Sequence, residues 1–405
     1  MEDNPPGLAA LRGRIARVMR EHVALRAEEI DRSGAYPQDL FECFAEHGYL
    51  ALSLPTRLGG PGLGVRALTA ATEEAAKHSS AAGLLLLLSR LPVAPLLAGG
   101  TEEQLLRWAA PLGRGECRGA YAMSEPQAGS DVLGLATRAE RDGGGWRLTG
   151  TKAWVSGGSE ADWYLVVATT AEPGERRPDA LRAFVVDAGA DGLTVSREHE
   201  RPGTRGVSLA DLRLDAVAVS DDRRLPGING IGPLLGALAT MRPVVSARGL
   251  GLAAAALMLA VARIESRSVG GRPVAAQQGV QWQLADAAVQ LEAARLLTYR
   301  AADLVDTGRS GREAAGLLAA AKLASSEIAV KAAALAAQLH GAEGCLAGHP
   351  ADRLVRDARQ LTIVEGTSEI QRGIIARAVL DRSLWWETEE QCAQDKPERD
   401  KEMTR

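Results

Sequence analysis

The hydrophobic period of this chain changes twice, which constrains its fold more than any other feature. From Leu8 to about Ala110 apolar residues recur at helical spacing, as at Leu8, Leu11, Ile15 and Val18, punctuated by "LPTRLGGPGLG". Between about Gly119 and Asp221 the runs shorten to "WRLTG", "WYLVVATT", "RAFVVDA", "LTVSRE" and "VSLADLRLDAVAV", with turn signals such as "RDGGG" between them. From Gly232 to Asp381 long Ala/Leu/Gln-rich stretches return, broken at "SRSVGGRPV", "DTGRSGR" and "GCLAGHP". The pattern predicts an α+β multidomain protein, with a helical domain over 1–118, a β domain over 119–225 and a helical bundle over 226–383. The charged stretch 384–405 has too little apolar surface to hold a fold and is expected to be disordered.

The sequence argues against several function classes. A formal net charge of −4 and no Lys/Arg stripe interleaved with aromatics argue against nucleic acid. Cys43, Cys117, Cys345 and Cys392 are scattered, with no C-x-x-C pair and no His at ligand spacing, so no metal site is expected and the thiols read as reduced. The start, "MEDNPPGLAALRGR", lacks the basic end and apolar run of a signal peptide, which predicts a cytoplasmic protein. The apolar runs from Gly83 and from Gly249 to Ala262 fall short of the roughly 20 residues that span a bilayer, so no membrane is expected. No Gly-x-Gly-x-x-Gly or P-loop follows a strand, so a nucleotide cofactor would bind without a Rossmann fold.

Three stretches carry candidate chemistry. In "IVEGTSEIQR" a carboxylate, Glu365, directly precedes a Gly-Thr-Ser turn, while Ser368 and Gln371 have capping-box spacing. Taken alone, the stretch reads as a helix start. In "AYAMSEPQAGSD", Ser124, the Gly129 backbone and Ser130 offer small donors suited to a flat polar ligand or a phosphate. In "GTKAWVSGG", Trp154 and Ser156 are two apart on a strand, which predicts one shared face, although Trp154 alone reads as a core residue.

The order of "YAMSEPQAGSD", "TKAWVSGG", "QLHGAEGC", "RLVRDAR" and "IVEGTSEIQR" resembles the acyl-CoA dehydrogenase family over about Leu8 to Leu380. The resemblance implies N-terminal helices, a β barrel and a C-terminal four-helix bundle enclosing FAD. Tyr121, Met123 and Ser124 then match the strand touching the flavin ring, and Trp154 and Ser156 the pair near N5. Ser130 matches a residue near the diphosphate and the thioester arm. Arg267, Gln278, Gln338, Gly341 and Ala342 match positions reaching the FAD of a neighbouring subunit, which implies a homotetramer or homodimer. Thr367 and Glu369 match contacts beyond the acid, and Arg242 matches the floor of the active site.

By the same resemblance Glu365 is the base that removes the α-proton of an acyl thioester, and flavin N5 accepts the β-hydrogen. A carboxyl group of pKa about 4.3 becomes a useful base only when desolvated, here by Ile363 and Val364. Gly366 would leave room for the thioester. Some members carry the acid at the start of the bundle, where this chain has Met241. Val364, Gly270, Ala342, Ala239 and Cys345 depart from the family pattern, so the resemblance leaves two carriers for the acyl group, CoA and an acyl carrier protein. An electron-transfer flavoprotein is the family's usual acceptor. The rivals are a flavin-dependent monooxygenase on the same fold, which has no need of Glu365, and a non-enzymatic acyl-binding protein.

Overall fold

The computed structural model describes residues 6–309 and 312–381. The expected disorder of 384–405 and the state of Cys392 lie outside the described residues; Cys43, Cys117 and Cys345 are free thiols.

The N-terminal part is helical. Helix Ser80–Leu88 has no polar face because all its residues are buried, and the Ser79 hydroxyl caps it by accepting from the Ala82 amide. Helix Gly64–Ala76 packs between this layer and the C-terminal bundle. Its buried Glu73 joins the two, at 3.2 Å from Arg12 and 2.9 Å from Arg295, while accepting from the Tyr299 hydroxyl. The helical stretches Ser80–Gly99 and Ile231–Ser266, 20 and 36 residues and each broken by a short turn, are longer than the apolar runs that mark them in the sequence, and their most apolar windows are 89% and 72% buried inside the protein.

The middle part holds β1 (Gly119–Ala122), β2 (Arg138–Asp142), β3 (Gly145–Ser156), β4 (Trp163–Thr169), β5 (Leu181–Asp187), β6 (Leu193–Glu198) and β7 (Leu209–Ser220). They form one seven-stranded sheet ordered β1-β4-β2-β3-β7-β6, with β5 on β4. One apolar cluster draws on all seven strands, from Ala120 through Leu148, Val166 and Phe184 to Leu214. Strand β4 is buried at every position, because its other face meets Trp108, Leu112 and Leu96 of the N-terminal helices. That explains the unbroken run "WYLVVAT", where a one-sided strand would alternate.

Helices Arg242–Ser266, Gln278–Asp306, Arg312–His340 and Ser368–Leu380 make the C-terminal bundle. Its core is unusually rich in alanine, including Ala253, Ala256, Ala260, Ala329, Ala332 and Ala336. Small residues let helices approach closely: a Cβ on Gly249 would lie 2.6 Å from the Ser325 carbonyl oxygen.

Candidate active site

Glu365 sits in the short link between the turn Gln360–Thr362 and helix Ser368–Leu380, and it adopts the left-handed conformation, φ +55°, followed by Gly366 at φ +89°. That backbone costs a non-glycine residue energy, so something must hold it. Buried Gln371 donates from Nε2 to the carbonyls of both Glu365 and Gly366, each at 3.1 Å. Lys322, on the third bundle helix, donates from Nζ to the Gly366 carbonyl at 2.7 Å.

These contacts correct two expectations. Gln371 serves the Glu365 link and makes no capping box with Ser368; Thr367 caps the helix by accepting from the Ile370 amide, and Ser368 Oγ is buried without a partner. Gly366 is favoured by its φ of +89°, a conformation that side-chain-bearing residues rarely adopt. Ile363 is 54% exposed and shields nothing, whereas Val364 packs against the N-terminal core.

Burial nevertheless raises the Glu365 pKa above the usual carboxylate range, against the opposing pull of Lys322, Arg242 and Arg248. Desolvation therefore outweighs three cations. The same burial lowers Lys322 to about 8 and lowers Arg242. Tyr121 of β1 belongs to this group of charges: burial pushes its phenol up, and the Glu365 charge adds to the effect. Its hydroxyl lies 3.0 Å from Met123 Sδ. Sheet and bundle thus meet at Glu365.

Across from the acid, β3 and the segment after β1 are tied together by the Ala153 amide donating to the Ser124 carbonyl at 2.8 Å. A buried ion pair fixes the segment: Lys152 Nζ lies 2.6 Å from Glu125, and Glu125 also accepts from the amides of Ala136 and Thr137. The β3–β7 register shifts between Lys152 and Val155, so the strand bulges at Trp154, which has φ +62°. Across the bulge Trp154 is exposed, Val155 buried and Ser156 half-buried, and pairing with β7 as well as alternation sets how these side chains lie. The bulge leaves Trp154 53% exposed, with its ring 4.5 Å from that of His199 and its amide donating to Asp211. Asp211 also lies 2.9 Å from His199.

An exposed indole on a bulge, with Ser124 and Ser156 half-buried on the joined segments, fits a flat heteroaromatic ring. Gly129 and Ser130 are exposed beyond it, with open space around Gly129, which suits a phosphate-bearing chain. These features fit FAD. Glu369 is exposed on the first turn after the acid.

Arg267, Gln278, Gln338, Gly341 and Ala342 are exposed and lie at the opposite end of the bundle from Arg242. Helix Arg242–Ser266 separates the two ends by about 37 Å at 1.5 Å per residue. One protomer therefore does not bring these five residues to Glu365.

Two charged residues at the site carry no signal in the sequence. Lys322 sits within a helical stretch distant from any motif and Arg248 lies shortly after Arg242 without being marked itself, so only packing shows that they act on Glu365.

The molecule is, by fold and site, a three-part flavoenzyme with a half-buried carboxylate between a β domain and a helical bundle. Its residues 6–116, 120–217 and 229–380 match the N-terminal, middle and C-terminal domains of acyl-CoA dehydrogenase, and the chain belongs to that family. Family members are FAD-dependent oxidoreductases that act on CH–CH bonds of acyl thioesters. The chain is 38% identical over 357 residues to the mitochondrial short-chain specific acyl-CoA dehydrogenase of Bos taurus, covering 87% of this chain and 85% of that one. Butyryl-CoA dehydrogenase from Megasphaera elsdenii superposes with a TM-score of 0.88 at 29% identity, covering 94% of this chain and 100% of that one. A solved structure of the electron transferring flavoprotein of Acidaminococcus fermentans gives a TM-score of 0.88 at 30% identity, with coverage of 94% and 100%.

Proposed function

We propose that this protein dehydrogenates an acyl thioester between its α and β carbons, with Glu365 as the base. The observation that carries this reading is the Glu365 carboxyl, pushed above its ordinary range by burial and fixed by Lys322 and Gln371 through the adjoining backbone. The α-proton passes to a Glu365 oxygen, the C–H electrons form the new C=C bond, and the thioester remains intact. Bound flavin supplies an acceptor for the β-hydrogen, which leaves as hydride. Tyr121, Met123, Ser124, Trp154 and Ser156 would hold the ring, Gly129 and Ser130 the diphosphate side. Arg242 and Lys322 keep positive charge near the carboxylate and the developing enolate.

We infer further that the active unit is a homo-oligomer. Trp282, Val289 and Leu296 recur every seven residues on helix Gln278–Asp306 and are 62%, 69% and 66% exposed. Met258, on the neighbouring helix, is 69% exposed. A second copy seated there would cover this stripe and bring Arg267, Gln278, Gln338, Gly341 and Ala342 towards its partner's flavin. Electron-transfer flavoprotein, the family's usual acceptor, is the oxidant this reading expects for the reduced enzyme.

The test is anaerobic visible spectroscopy of the holoenzyme titrated with saturated acyl thioesters, beside Glu365→Gln. Bleaching of the wild type with the variant left oxidised supports the reading. Equal bleaching by both removes Glu365 from the role.

A further inference from the structure

Arg248 lies two turns into helix Arg242–Ser266 and is 1% exposed. Its one hydrogen bond runs from Nη2 to Ser80 Oγ at 3.2 Å, and its buried Nε has no partner. No carboxylate among the described residues comes within 4.0 Å of it; Asp357 and Glu365 act on it only from farther away. Other buried charges are treated differently. Glu73 meets Arg12 and Arg295, and Lys152 meets Glu125. An unpaired buried guanidinium is costly, since it has lost its water and gained no counter-ion.

Its position gives that cost a use. Ser80 and Gly83 stand at one end of helix Ser80–Leu88, and the Arg248 stem lies over Gly83, with Cγ 3.3 Å from where a Cβ would be. At the other end, Leu88 Cδ1 lies 3.1 Å from the Cβ position of Gly157, the residue after Ser156. The helix therefore acts as a ruler from the flavin-side strand to Arg248. From Leu88 to Gly83 it measures about 7 Å, and to Ser80 about 12 Å, at 1.5 Å per residue. Three cations, Lys322, Arg242 and Arg248, act on the Glu365 carboxylate, and Asp357 also acts on Arg248 from beyond ion-pair distance. Arg90 offers a comparison: it is buried with an unpartnered Nε, but it donates to the Ser53 carbonyl and feels Asp306, not Glu365.

We propose that Arg248 is a specificity-determining residue that binds a carboxylate at the far end of a short acyl chain, so the substrate is the thioester of a dicarboxylic acid. A carboxylate accepts two parallel N–H donors from a guanidinium, and an alkyl end would leave Arg248 unpaired and dry. Ser80 Oγ, held between Arg248 and Thr204 Oγ1 at 2.8 Å, orients the guanidinium. The assignment rests on the dehydrogenation reading above.

The experiment compares flavin bleaching and kcat/KM for glutaryl and pentanoyl pantetheine thioesters, and for the adipyl and hexanoyl pair, in wild type, Arg248→Met and Arg248→Lys. Wild type should favour a dicarboxylic member by roughly tenfold or more, the gain of about one charged hydrogen-bonded contact. Arg248→Met should reverse that order while keeping its flavin spectrum, and Arg248→Lys should fall between. Wild type that turns over the pentanoyl or hexanoyl thioester at least as well as its dicarboxylic partner overturns the assignment and leaves the dehydrogenation reading standing. Flavin that no thioester in the panel bleaches overturns both. The wild-type comparison decides the matter even where a variant does not fold.

Discussion

Lys322 Nζ and the Gly366 carbonyl oxygen are 2.7 Å apart, so the third bundle helix is fastened to the backbone immediately after Glu365. The same lysine is the foremost of the three cations that hold the Glu365 pKa down against burial. One side chain therefore sets both the conformation and the acidity of the base.

Lys322→Met should separate those effects. With the cation gone, the Glu365 pKa rises further, and a base that must be ionised loses activity at a higher pH on the acid limb. The pH profile of kcat/KM should shift upward, with a loss at the optimum of about tenfold to a hundredfold from misplacement of the carboxylate. A reduced rate with an unmoved acid limb would leave Lys322 a purely structural role.

Asp357 offers a prediction about stability. Burial raises its pKa to about 6, despite the hydrogen bond from the Thr204 amide at 2.5 Å. Between the ordinary aspartate value of 3.8 and about 6 the folded protein holds a proton that the unfolded chain has released, so this group makes stability fall as pH rises through that window. Denaturant titrations from acid to neutral pH should show the decline, and Asp357→Asn should flatten it.

Lys152→Met would leave Glu125 buried without its cation, at a cost of about 3–5 kcal/mol. Because Glu125 also anchors the amides of Ala136 and Thr137, the flavin-side segment should loosen as well. Calorimetry and the flavin-to-protein absorbance ratio should both fall. Adding Glu125→Gln should recover part of the stability.

The exposed stripe is testable by sedimentation. Trp282→Glu with Leu296→Glu places charges on the face offered for a second copy, and should yield smaller species with reduced flavin content. An unchanged sedimentation coefficient would move the interface elsewhere.

The arrangement of helical, β and helical parts was legible because each has its own hydrophobic period over many residues, and errors at single positions average out. Glu365 was legible from its motif. Its control was not: Lys322 and Arg248 look like any helix cation, and periodicity does not tell which face will meet a loop far away in sequence. The bulge at Trp154 was illegible for a related reason, since alternation assumes a regular strand and the register shift between Lys152 and Val155 depends on pairing with β7. At the helix start, Thr367 and Ser368 are both capable caps; the claim of Glu365 and Gly366 on Gln371 decides between them.

Gly83 and Arg248 share one volume. A Cβ at position 83 would come within 3.1 Å of Ala76 Cβ and 3.3 Å of Arg248 Cγ. Neither site is free to drift while the other stays fixed: a larger residue at 83 meets a wall, and a smaller one at 248 opens a hole. An evolutionary change in what this cavity accepts must therefore pass through paired substitutions on two helices from different domains. Sequences that retain glycine at the first position and arginine at the second would be expected to travel together as a single heritable unit.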